Sequence, residues 1–505
     1  MAALASATTA ALTLRAPRVR LIETSSPNLR APRELAELPA PAFEPALANL
    51  RDGWYGKPAF VVNTRAKHQT FLGFGGAFTE SAAFTLGHLS DAQQDEVMRG
   101  YFDAAEGHGY VFGRTHINSC DFSLGNWACA DVADDFELKH FSMERTARHV
   151  VPMIRRALRV FAASPASPAA PSLRLLASPW SPPAWMKTTG KMNEGGKLRP
   201  ECRDAWANHY VKWVDAMAEL CGCRVWGLTV QNEPAASQAW DSCEFTAEEE
   251  RDFVRDHLGP ALERAGLLAG GEGEGGAAAA TDDGLKLIVW DHNRQDAFAR
   301  GAAVYDDAAA ARFVWGLGLH WYSGEFYDQT SQLQAAFPEK HVIFTEGCIE
   351  RGPQLGRWDR GERYATHIIG DLNHGCEAWI DWNLCLDIAG GPNHAGNMCD
   401  APVLIDTDAR VVHYQSSYAY IGHFARFIRP GAVRVGLSRA GGPLEATCFV
   451  NTDGSLALVV HNPSEAAHEF RIVVDERGGL HSEIPAKSIQ TYIIEDTKDE
   501  LCPAA

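Results

Sequence analysis

The chain has 505 residues, 46% of them apolar and 22% charged, and a formal net charge of −18. That acidic balance disfavours nucleic acid and electrostatic capture by anionic membranes, and no apolar run approaches the ~18 residues that would span a bilayer. The length suits one large barrel with a smaller accessory domain, and the 12 cysteines include no CxxC pair, so buried free thiols are expected rather than a structural metal site.

The start, residues 1–18, is Ala/Thr-rich and acid-free and is expected to be poorly ordered. It has the composition of a weak targeting segment but lacks a charged region ahead of its apolar part. The one near-sequon, Asn462-Pro463-Ser464, is blocked by proline, which weighs against heavy glycosylation. "RVRLIETS" then reads as a strand, and residues 19–69 are assigned to the N-terminal part of a β-sandwich.

From residue 70 to 425, strand-like and helix-like segments alternate. Near-continuous apolar runs occur at 71–78, 109–118, 173–180, 224–232, 285–292, 313–322, 341–347 and 377–384. Runs of this kind suit parallel strands covered on both faces. Between them, Ser90 is a plausible cap for "SDAQQDEVMRGYF", and Thr246 with Glu249 forms a capping box before a helix that closes on Gly266. Eight strand–helix units predict an α/β fold, a (β/α)8 TIM barrel. The low-complexity stretches 162–172 and 269–284 fall between a helix and the next strand, on the non-catalytic side of such a barrel. Residues 426–505 change to short alternating strands with Asp-Gly and Asn-Pro turns, the rest of a sandwich built from both chain termini.

In this architecture chemistry sits at the C-terminal ends of the strands. The second run supplies Arg114, His116, Asn118 and then Asp121; the third ends at Trp180; the fourth, at Asn232-Glu233. The fifth ends at Asp291-His292, the sixth at His320-Trp321-Tyr322, the seventh at Glu346, and the eighth carries Trp382. A lone strand-end Asp or His is more often a helix cap or a satisfied core group, and His116 and His292 are placed in that class. Two carboxylates three strands apart, facing one mouth, are the apparatus of glycoside hydrolysis, and a gap of about 5–5.5 Å would mean retention of configuration. Glu233 is assigned as acid/base, because the amide of Asn232 beside it can bind a sugar 2-hydroxyl. Glu346, within reach of the Tyr322 phenol, is assigned as nucleophile, and its charge is expected to raise the Glu233 pKa. Trp180, Trp321 and Trp382 are candidate flat walls for the sugar, and Asp121 and Asn397 candidate hydroxyl binders. "GFGGAF" is glycine-rich but lacks a phosphate-loop lysine, so tight backbone packing is expected there.

Seven segments in order carry a family resemblance: "GFGGAFTESAA", "SCDFSLGNWACAD", "LLASPWSPPAWMKTTG", "TVQNEP", "HWYSGEF", "FTEGC" and "DWNLCLDIAGGPNHAGN". The chain resembles glycoside hydrolase family 30, in its glucosylceramidase (glucocerebrosidase-like) branch. That resemblance implies retaining hydrolysis of the β-glucosidic bond of glucosylceramide or a related β-glucoside, with no metal or organic cofactor. It implies Glu233 as acid/base and Glu346 as nucleophile, Asp121, Trp180, Asn232, Trp382 and Asn397 around the glucosyl unit, and Arg114 and Tyr322 next to the nucleophile. Peripheral contact with a lipid surface follows from such a substrate. The competing readings are a β-1,6-glucanase or β-xylosidase of the same family, and a non-catalytic sugar-binding protein. Gln231 and the histidine and small residues of "GGPNHAGN" depart from the animal relatives, where bulkier side chains include a tryptophan, and alter the pocket rim.

Overall fold

Eight apolar segments close into a ring because each is buried on both faces. In the computed structural model, which describes residues 16–25, 35–44, 57–165, 168–268 and 284–496, they are β1 (Gly73–Phe78), β2 (Phe112–Ile117), β3 (Arg174–Pro179), β4 (Val225–Thr229), β5 (Lys286–Asn293), β6 (Gly316–His320), β7 (His341–Glu346) and β8 (Ala378–Asn383). All neighbours are parallel, and β8 pairs with β1 to complete the barrel. Every predicted strand is present, with ends shifted by at most three residues, mostly inward. The glycines of β1 allow close approach of neighbouring chain: a Cβ on Gly75 would sit 2.4 Å from the Phe112 carbonyl oxygen, and one on Gly76 2.6 Å from Leu384. This supports the packing reading of "GFGGAF".

Helices cover the ring. Asp91–Phe102 begins at a Ser90 capping box and Ala247–Phe253 at the Thr246/Glu249 box. The second continues through a π-helical turn, Val254–Leu258, into Gly259–Arg264.

The second domain is one nine-stranded hydrogen-bonded sheet that folds over its own apolar core, which includes Phe60, Leu458, Phe470 and Tyr492. Three strands come from the N-terminal side (Arg18–Thr24, Ala36–Leu38, Ala59–Thr70) and six from residues 433–495. Both chain ends therefore build the sandwich, as expected. Arg18 already lies in a strand; residues 1–15 of the segment expected to be poorly ordered, and 269–283 of the second low-complexity loop, lie outside the described residues. The wholly buried helix Ser416–Ala425 packs on this sheet, and its His423 hydrogen-bonds the Thr491 and Thr24 hydroxyls at 2.8 and 2.9 Å. The cysteines among the described residues are free thiols, and no helix there is long and apolar enough to cross a membrane.

Candidate active site

Beyond β4 the chain runs Val230-Gln231-Asn232-Glu233-Pro234 across the barrel mouth, and three of its backbone N–H groups are tied to neighbouring strands. Val230 N–H donates to Ile288 O, Asn232 N–H to Pro179 O and Glu233 N–H to Asp291 O, at 2.8–3.0 Å. The Gln231 amide donates to Trp180 O at 2.7 Å. A polar run can end a buried strand here because the N–H groups of Val230, Asn232 and Glu233 and the Gln231 side-chain amide find carbonyl partners. Glu233 itself adopts φ +47°, a left-handed conformation uncommon outside glycine and concentrated at functional sites.

β5 and β7 are irregular near the same rim: their registers slip between Val289 and His292 and between Phe344 and Glu346. Such bulges re-aim side chains. At β7 the slip brings two consecutive residues inward: Thr345 Oγ1 donates to Asp291 Oδ1 at 2.5 Å, and Glu346 lines the cleft.

Arg114, fully buried on β2, ties these strands together. Its Nη1 donates to Glu346 Oε2 at 2.5 Å, its Nη2 to Asn232 Oδ1 at 2.8 Å and Asp291 Oδ2 at 2.9 Å, and its Nε to Ser178 Oγ at 3.1 Å. The other Glu346 oxygen, Oε1, accepts from Tyr322 OH at 2.9 Å. The nucleophile candidate is thus held at both oxygens. Glu346, with no basic residue beside it in sequence, has Arg114 beside it in space. Above the guanidinium, Trp180 and Trp382 stack with centroids 5.1 Å apart, 4.8 and 5.3 Å from Arg114 Cζ.

Glu233 faces two histidines. Its Oε1 lies 3.1 Å from His320 Nδ1 and 3.5 Å from His292 Nδ1, and Oε2 accepts from Gln238 Nε2 at 3.4 Å. His320 Nε2 in turn meets Asp291 Oδ1 at 3.0 Å. Burial alone would raise the Glu233 pKa, but His292 and His320 outweigh it and hold the carboxyl below the ordinary range. The expected rise from Glu346 is therefore not what the site produces. Burial likewise opposes charge on His320, yet the Glu346 charge and the bonds to Asp291 and Glu233 push it up to about 9. These shifts favour the proton on His320, one hydrogen bond from Glu233. His292, read from sequence as a cap or core group, belongs to the cleft; His116 does cap, accepting the Glu80 N–H at 3.1 Å.

Asp121 Oδ2 accepts from Asn397 Nδ2 at 3.0 Å and Asn393 Nδ2 at 3.2 Å. Burial pushes the Asp121 carboxyl up to about 7, against the pull of those amides, so it can both donate to and accept from a sugar hydroxyl. Asp121, Trp180, Asn232, Glu233, Tyr322, Glu346, Trp382 and Asn397 all line one cleft of about 190 Å³. A roomier depression, about 410 Å³, opens at the other end of the barrel around Leu158, Arg174 and Trp226, but no carboxylate lines it, so volume does not choose the site.

One predicted wall is elsewhere. Trp321 is buried against Phe344, Tyr364, His367 and Trp379, with Nε1 donating to Cys348 O at 3.0 Å. Successive residues leaving a strand face opposite sides: His320 and Tyr322 turn to the mouth and Trp321 to the helix layer. Trp240, from the loop after β4, lines the cleft instead. Its loop position gave no periodic signal, and neither it nor Cys399, which also lines the cleft, was singled out as a site residue from sequence. Trp321→Ala is expected to cost about 3–5 kcal/mol of stability as a core truncation, checked by urea unfolding of the variant.

The family model described as "Glycosyl hydrolase family 30 TIM-barrel domain" matches residues 71–428. The chain belongs to glycosyl hydrolase family 30. The family's "beta sandwich domain" model matches residues 431–492, in agreement with the second sheet, and the chain is a glycosidase. This family 30 member is 34% identical over 455 residues to the lysosomal acid glucosylceramidase of Mus musculus, covering 86% of this chain and 82% of that one. It is also 34% identical over 449 residues to putative glucosylceramidase 3 of Caenorhabditis elegans, covering 86% and 81%. Among solved structures, SrfJ from Salmonella typhimurium is similar at 34% identity and TM-score 0.83, over 94% of this chain and 99% of that one. The endo-beta1,6-glucanase BT3312 is similar at 27% and TM-score 0.79, over 95% and 99%.

Proposed function

We propose that this glycosidase cleaves the β-glucosidic bond of glucosylceramide or a related β-glucoside by double displacement. The observation that carries the reading is the pairing, in one cleft, of a carboxylate fixed at both oxygens (Glu346, by Arg114 and Tyr322) with a carboxylate fed by a histidine (Glu233, by His320). Glu346 attacks the anomeric carbon while Glu233, taking up the proton of His320, passes it to the departing oxygen. Glu233 then takes a proton from water, which attacks the glycosyl-enzyme ester and releases the sugar. Arg114 and Tyr322 orient the nucleophile and stabilise its charge until attack. Asn232 holds the 2-hydroxyl, Asp121 and Asn397 bind further hydroxyls, and Trp180 and Trp382 supply the flat apolar wall.

An amphipathic aglycone fits the surroundings of the mouth. Leu124, Val132, Phe136, Phe326, Leu355 and Ile388 are exposed, and each sits on a loop that follows a barrel strand, the side of the molecule that carries the cleft. Apolar side chains gathered on that side favour a headgroup presented from a lipid surface. The identity to glucosylceramidases points the same way. The second reading, a β-1,6-glucanase, is favoured by likeness to endo-1,6-beta-D-glucanase of Neurospora crassa, at 24% identity over 82% of each chain, and by BT3312.

Two measurements test the proposal. Proton NMR of the sugar released from a nitrophenyl β-glucoside is expected to show the β-anomer first, followed by mutarotation; an initial α-anomer would mean inversion. Fluorescent glucosylceramide is expected to be hydrolysed at least tenfold faster than a β-1,6-glucan at equal bond concentration, with nitrophenyl glucoside preferred over the xyloside. The reverse order would favour the second reading.

A further inference from the structure

The side chains around Glu233 also have the make-up of a transition-metal site. A carboxylate oxygen of Glu233 and one ring nitrogen each of His292 and His320 lie within 4.8 Å of one another. The two short edges, 3.1 Å from His320 Nδ1 and 3.5 Å from His292 Nδ1 to Glu233 Oε1, bracket the roughly 3.3 Å that separates adjacent donors around a tetrahedral zinc with 2.0–2.1 Å bonds. The imidazoles stand at 74° with centroids 6.2 Å apart, so their nitrogens converge without stacking. His292 is nine-tenths buried, and its Nδ1 has no hydrogen bond among the described residues.

The outer shell suits an ion as well. His320 Nε2 is held by Asp291 Oδ1 at 3.0 Å, the carboxylate–histidine arrangement that fixes a ligand ring and raises its basicity. Asp291 is in turn anchored by Arg114, Ser178 and Thr345. Glu233 and His292 both line the cleft, which leaves a fourth position for water. Two imidazoles and a carboxylate select zinc-like ions over magnesium or calcium, which take oxygen ligands.

We infer that Glu233, His292 and His320 form a binding site for a zinc-like divalent cation, and that an ion held there switches hydrolysis off. The site itself stands on the donor geometry alone; the switching rests on the reading of Glu233 as acid/base. An ion bound to the Glu233 oxygen occupies the lone pair that must carry the proton to the leaving group. Its role is that of a reversible blocker, not a cofactor of the proposed reaction.

The test is calorimetric titration of the full, substrate-free chain with ZnCl2, with MgCl2 as control. One zinc site is expected, and no magnesium binding. His292→Gln and His292→Ala, each checked by thermal unfolding, are expected to weaken zinc binding at least tenfold. Cys223→Ser, which removes a partly exposed thiol lining the depression at the other end of the barrel, is expected to leave it unchanged. No zinc binding by the wild type, or undiminished binding in both His292 variants, would overturn the site. Zinc is further expected to inhibit wild-type hydrolysis, EDTA to restore it, and the half-inhibiting concentration to rise at least tenfold in His292→Gln relative to that variant's own metal-free rate. Full activity with zinc saturating would overturn the switch. A chain that binds zinc but turns over no glycoside would overturn the switch while sustaining the site, and would count separately against the proposed function.

Discussion

Glu346→Gln is expected to lower kcat on nitrophenyl β-glucoside by about 10⁴-fold or more, while the protein stays folded. Removing a nucleophile abolishes the covalent route, and the residual rate is what binding and the remaining groups sustain. The amide has the shape of the carboxylate, and its oxygen can still accept from Arg114 or Tyr322, which now hold Glu346 Oε2 and Oε1 at 2.5 and 2.9 Å. The substitution therefore removes charge and nucleophilicity without emptying space. A rate within tenfold of wild type would deny Glu346 its role. Unaltered binding of a β-glucoside with no turnover in the wild type as well would favour a sugar-binding protein. Thermal unfolding of the variant separates chemical from structural loss.

Arg114→Met should give the largest structural effect at the site. The guanidinium is fully buried and satisfies four side chains from four other strands or their ends: Glu346, Asp291, Asn232 and Ser178. Methionine fills the volume but leaves Asp291 and Glu346 as buried charges without their cation. Breaking a buried ion pair from one side in this way costs about 3–5 kcal/mol. Urea unfolding followed by tryptophan fluorescence measures it, and kcat/KM is expected to fall with it as Glu346 loses its orientation. Arg114→Lys is expected to fall between, because a single ammonium restores charge but cannot present the planar fork that meets four partners at once. A methionine variant as stable as wild type would show that the carboxylates take up protons at little cost and that the arginine is not what holds the strands' ends together.

The barrel was legible in the sequence because parallel strands covered on both faces become plain apolar runs, and each of the eight did. The two glutamates were legible because a carboxylate at the end of such a run has few structural reasons to be there. The pairing of chain ends in the sandwich showed in "RVRLIETS", whose alternation matches the C-terminal strands. The order of the strands did not show, since register is set by partners far apart in sequence. The electrostatics of the mouth were hidden for the same reason. That Asp291 and His292 would reach the mouth beside Glu233 depends on the irregular end of β5, and a bulge leaves no mark on an apolar run. The misplacement of Trp321 is of another kind. The alternation of His320, Trp321 and Tyr322 was available, and it assigns the middle residue to the outside of the ring.

Strand Arg18–Thr24 finds its neighbour in Ser488–Glu495, with Arg18 opposite Glu495. During synthesis the first of these emerges from the ribosome when the second has yet to be translated. Every barrel strand must appear in between. The sandwich is therefore the last part of the molecule that can close, with a loop entropy set by nearly the whole polypeptide. Until it does, the apolar face of Arg18–Thr24 and the sheet-facing side of the helix Ser416–Ala425 stay uncovered, the kind of transiently exposed surface that promotes association of incomplete chains.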